Sequence, residues 1–165
     1  PPWLTLVTHI FLHGGLLHLA MNMVFLAWVG RQVEWLLGVP RFLLLFLVGG
    51  AVANVAAVLS IGTPDRVIIG ASGAISAVIG AYLALFPTAK LGVVLPLGLF
   101  LEFVKAPASL LIGIWALLQV VFAHTGPAFG AVAWWAHIAG FLFGVVFALF
   151  VRAAIARRMR KRQGY

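Results

Sequence analysis

Four stretches of this chain carry no charged residue at all: 1–30, 42–64, 67–89 and 106–151. Roughly 20 apolar residues cross a bilayer as a helix, so each stretch is long enough for at least one span. The whole chain is 64% hydrophobic and only 8% charged, where a soluble domain carries about a quarter charged residues. The expected class is an all-α, polytopic membrane helix bundle.

A net charge of +8 raises the question of nucleic acid, and the distribution of that charge answers it. Six of the eleven basic residues fall between Arg152 and Tyr165, directly after an apolar run. Such a cluster reads as a cytoplasmic anchor drawn to anionic lipid headgroups, with no nucleic acid partner. The domain reading is therefore a transmembrane domain over 1–151 and a basic cytoplasmic tail over 152–165. The absence of cysteine excludes disulfides and thiolate metal sites. The chain opens on Pro1-Pro2-Trp3 with no charged n-region, so no signal peptide is read, and a segment upstream is expected.

Five spans are expected, at about 12–30, 41–61, 69–86, 106–123 and 131–151. Gly38-Val39-Pro40, Phe86-Pro87 and His124-Thr125-Gly126-Pro127 supply the breaks. Only eleven uncharged residues separate Lys90 from Glu102, too few to cross, so 91–105 reads as an interfacial or re-entrant connection. With the tail inside, Arg31, Arg41, Lys90 and Lys105 are inside too, and Arg66 alone is outside. Spans one, three and five then all run inward from the outer face.

Near the outer beginning of each of those three spans lies a polar side chain: His18 and Asn22 in the first, Ser72 in the third, His137 in the fifth. At ~1.5 Å per residue they share a depth on the order of 10 Å. Each taken alone has a plain structural explanation. Ser72 lies in a run of small residues suited to close helix packing, His18 and Asn22 suit interhelical hydrogen bonding, and His137 suits a satisfied core histidine. Together they suggest nucleophilic catalysis, because a serine hydroxyl needs a base within reach and histidine has a suitable pKa. Gly73, Ala77 and Ala81 face one way, Ala136, Gly140 and Gly144 another, and their apposition would bring His137 to Ser72. His18 and Asn22, four apart on one helical face, would join the Ser72 amide as oxyanion donors. Glu34, Asp65 and Glu102 fall in loops or at interfaces, so a Ser-His dyad is expected rather than a triad, with Glu34 paired to Arg31 or Arg41. A metal site from His9, His13 and His18 is conceivable on spacing alone and lacks a carboxylate. His124 reads as a loop residue.

These residues carry a resemblance. Phe11-Leu12-His13-Gly14-Gly15, His18-Leu19-Ala20-Met21-Asn22-Met23, and Gly30-Arg31-Gln32-Val33-Glu34 with Gly38 come first. Gly70-Ala71-Ser72-Gly73-Ala74 and Ala136-His137-Ile138-Ala139-Gly140 follow. In that order they resemble a rhomboid intramembrane serine protease over nearly the whole chain. The resemblance implies Ser72 as nucleophile and His137 as general base, with His18, Asn22 and the Ser72 amide stabilising the oxyanion. Gly70 and Gly73 would be the supporting motif. It further implies no cofactor, no metal, and a bacterial cytoplasmic membrane with the site open to the non-cytoplasmic side. Substrates would be membrane proteins cut in or near a transmembrane segment after a small residue. Two departures stand out. The family core has six spans and the first is absent here, with Trp3 followed by Leu4 rather than arginine. Where some members stack a tyrosine on the histidine, this chain has Ser76. A non-catalytic relative that binds transmembrane segments, and a small channel or transporter, are the alternatives.

Overall fold

The computed structural model describes residues 2–60, 68–97, 100–125 and 133–162. A short opening, α1 (Pro2–Thr8) and a 3-10 turn (His9–Phe11), leads into the first long helix. That helix comprises α2 (Leu16–Phe25), a π-helical turn (Leu26–Gly30) and α3 (Arg31–Leu37), running without a break over 22 residues. α4 (Val39–Ser60), α5 (Ser72–Leu85), α6 (Ala108–Thr125) and α7 (Trp134–Arg162) complete the helices, with a β-hairpin before α6. Leu16–Leu37, Val39–Ser60, Ala108–Thr125 and Trp134–Lys161 are long and apolar enough to cross a membrane. Their outward side chains include Leu59, Leu117, Leu142 and Phe150, all exposed, as a lipid-facing surface requires.

Four of the five expected spans are found as long apolar helices with shifted ends. The first does not stop at Gly30-Arg31, because Val33 and Leu37 continue its buried face while Arg31 itself stays exposed. α7 likewise passes position 151 and continues to Arg162, with Ile155 buried and Met159 packed on the core.

α5 differs most from expectation. At 14 residues it is about 21 Å long, short of the ~30 Å hydrocarbon thickness. Every residue from Gly73 to Tyr82 is buried, so α5 is the axis of the bundle rather than a lipid-facing span. Small residues on both flanks allow this. Gly49 and Ala53 of α4 lie against Ala77 and Gly73, and Gly140 and Gly144 of α7 lie against the carbonyls of Gly73 and Ala77.

The connection expected over 91–105 carries regular structure, two paired strands. β1 (Lys90–Leu97) pairs antiparallel with β2 (Phe100–Pro107), Val93 facing Val104 and Gly92 facing Lys105. Pairing satisfies backbone groups that a short apolar segment could not otherwise satisfy next to a bilayer. The hairpin is fastened at its base, where Ala108 N–H donates to the Ala89 carbonyl at 2.8 Å and Leu91 is buried.

Candidate active site

Ser72 is the first residue of α5, so its backbone N–H has no acceptor within the helix. The chain reaches it through Gly70, whose N–H donates to the His9 carbonyl at 3.0 Å and whose φ is +115°. A side chain at Gly70 would press on the His18 ring, with Cε1 at 2.7 Å and Nε2 at 2.8 Å from a Cβ. Because α5 starts inside the bundle, Ser72 is half-buried although it begins its helix.

His137 lies in the first turn of α7. The α5–α7 contact is backbone against backbone: a Cβ at Gly140 or Gly144 would overlap a carbonyl oxygen of α5. That approach places His137 Nε2 2.9 Å from Ser72 Oγ. The other ring nitrogen, Nδ1, is 2.8 Å from Oε1 of Gln119 on α6, a residue absent from the sequence-based set. Gln119 was legible in principle as an isolated amide inside an apolar span, the same signal that singled out His18 and Asn22.

Asn22 is buried, and its Nδ2 has no hydrogen-bond partner among the described residues. It lines a cavity of about 220 Å³ together with Ser72, His137, Gln119, Trp115 and Trp134. An unpaired buried amide donor is costly unless something arrives to accept from it. His18 stands one step further out. Its Nδ1 accepts the Gly14 N–H at 3.3 Å, leaving the proton on Nε2, and its ring packs against Gly70 without lining the cavity.

The position where some rhomboids stack a tyrosine on the histidine is otherwise engaged, since Ser76 Oγ donates to the Ser72 carbonyl at 2.7 Å. The aromatic neighbour of His137 is Trp134, edge-on at 6.1 Å and 90°. His13 and His18 meet edge to face at 5.2 Å, but no three metal-ligating side chains converge among the described residues. His124 is not in a loop: it belongs to the last turn of α6, where Nδ1 is 2.9 Å from the Val120 carbonyl. Nor does Glu34 close an ion pair with Arg31 or Arg41 among the described residues. It lines a separate cavity of about 660 Å³ with Arg31, Trp35, Gly38, Phe86 and Arg158, at the far end of α5 from Ser72. Asp65 lies outside the described residues.

Comparison with known proteins places these features in context. Residues 1–154 match the family described as the Rhomboid domain. The chain is 42% identical over 81 residues to the rhomboid protease GluP of Bacillus subtilis, covering 49% of this chain and 15% of that one. It is 37% identical over 81 residues to the putative rhomboid protease YdcA of the same species, covering 49% and 40%. Similarity to the zebrafish mitochondrial presenilin-associated rhomboid-like protein A reaches further, 31% over 144 residues, 86% of this chain and 36% of that one. The matches span less than half the length of each of these relatives.

Proposed function

The chain belongs to the rhomboid family, and from that premise we propose that it is an intramembrane serine endopeptidase acting through Ser72 and His137. The observation that carries this reading is the 2.9 Å contact between Ser72 Oγ and His137 Nε2, within general-base reach. In the reaction Ser72 Oγ attacks the scissile carbonyl carbon as its proton passes to His137 Nε2. The carbonyl oxygen, now negative, accepts from Asn22 Nδ2 and the Ser72 N–H, with the His18 Nε2–H at the edge of the site. The imidazolium then protonates the leaving amine, and a water activated by the same nitrogen hydrolyses the acyl-enzyme.

The substrate is a membrane protein cut in or near a transmembrane segment. A cavity of about 220 Å³ holds an extended stretch with a small side chain and excludes an intact helix roughly 10 Å across. A helical peptide bond is shielded by its own backbone, so helix-breaking sequence around the cut favours cleavage. The protein is a multi-pass integral membrane protein, and its proposed setting is a bacterial cytoplasmic membrane with the site facing out. The Arg31–Arg158 cavity and the basic end of α7 suit anionic headgroups on the inner side.

Labelling with a fluorophosphonate probe in detergent or liposomes tests the reading. Labelling that vanishes in both Ser72→Ala and His137→Ala is the expected outcome. A folded wild type that leaves the probe unreacted would instead indicate a rhomboid that binds transmembrane segments without cutting them.

A further inference from the structure

We propose that Gln119 is a positioning residue for this site, holding His137 in the one tautomer that can accept the Ser72 proton. The inference rests on the reading of Ser72 and His137 as nucleophile and base.

Gln119 is 5% exposed, whereas its neighbours on α6, Leu117, Leu118, Val120 and Val121, are all exposed. Around this position the helix thus turns its one amide inward and the four adjacent apolar side chains outward. Gln119 Nε2 donates to the Trp115 carbonyl one turn earlier at 3.4 Å, which requires the nitrogen to point along the helix and the oxygen towards His137. A carboxamide oxygen only accepts, so the 2.8 Å contact places the imidazole proton on Nδ1. A neutral imidazole has one N–H. Nε2 therefore presents a lone pair to Ser72 Oγ. In the other tautomer Nε2–H would face the hydroxyl, leaving the base nothing with which to accept, and Gln119 Oε1 would be buried without a donor.

The role is that of the carboxylate in a triad, filled by a neutral group. A carboxylate inside the bilayer is expensive, and an amide oxygen supplies the same acceptor without the charge. It orients the ring but stabilises the imidazolium only as a dipole. Its loss should therefore cost less than the ~10⁴ seen when a charged orienting group is neutralised. We expect about 10- to 100-fold, the range for groups that orient a histidine ligand from behind.

The test compares wild type, Gln119→Leu and Gln119→Glu by two measurements. One is the fluorophosphonate labelling rate across pH. The other is ¹⁵N NMR of histidine-labelled protein in detergent, which reports the tautomer whether or not the enzyme turns over. Support would be a 10- to 100-fold slower rate in Gln119→Leu with loss of the single Nδ1–H tautomer. It would include partial recovery in Gln119→Glu, with the acid limb of its pH profile moved upward. Wild-type labelling in Gln119→Leu overturns the proposal. So does an equal loss in both variants matched by an equal loss of thermal stability, which marks a packing role. If wild type fails to label yet Gln119→Leu still scrambles the tautomer, positioning stands and the protease reading falls.

Discussion

A methyl group at Gly70 would meet two obstacles at once, a φ of +115° that side chains rarely adopt and the His18 imidazole under 3 Å away. Gly70→Ala should therefore cost about 1–2 kcal/mol from the backbone alone, seen as a lower melting temperature in detergent, and should slow labelling by displacing His18. Asn22 makes the opposite prediction. Its Nδ2 is buried without a partner in the resting protein, so Asn22→Ala should leave thermal stability level or raised. Peptide cleavage should nevertheless fall by up to about 10²–10³, the typical worth of one oxyanion donor. A matching loss of stability would show that Asn22 serves packing instead. Of the site, Ser72, His137, His18 and Asn22 were legible as single polar residues in apolar spans. Gln119 carries the same mark, but only the fold shows that its amide oxygen stands behind His137.

Among the elements, α5 and α7 are joined where side chains are missing. Gly140→Val or Gly144→Val would drive a side chain into the carbonyls of Gly73 or Ala77, and backbone cannot yield as a rotamer can. Overpacking of this kind costs typically ~1–3 kcal/mol and here also pulls His137 from Ser72, so stability and labelling should fall together. Gly113 on α6 is the control: a Cβ there meets nothing within 4 Å. Gly113→Ala should stabilise by up to about 1 kcal/mol in a thermal melt and leave labelling untouched. The shortness of α5 and the hairpin at 90–107 were hidden for a common reason. Hydropathy reports whether a residue avoids water, and both a buried axis and a paired strand avoid water as a lipid-facing helix does. The one local cue to the hairpin, the bare Gly92 now covered by the Phe103 ring, needs the register to be seen.

Across the whole molecule, the alternation of loops predicts a polarised charge. Ten of the eleven basic residues are expected on one side. Arg31 and Arg158, distant in sequence, share one cavity with Phe86 at the end of α5 remote from Ser72. These 165 residues hold no cysteine, which allows a clean test of orientation. Thr8→Cys and Lys161→Cys are both exposed positions at opposite ends. In intact cells an impermeant maleimide should modify the first, and reach the second only after permeabilisation; the reverse pattern would invert the topology.

What the sequence determined by itself was everything that depends on local transfer energy and spacing. Charge-free runs demanded membrane helices, the basic residues gave them an expected direction, and rare polar side chains named most of the candidate site. What only the tertiary structure decided was distance between elements far apart in the chain. Glycines facing carbonyls set how near α7 comes to α5, that approach makes the 2.9 Å contact of Ser72 with His137, and a third helix supplies Gln119 behind it. Such distances follow from how whole surfaces fit, and no pattern along one segment encodes the shape of its neighbour.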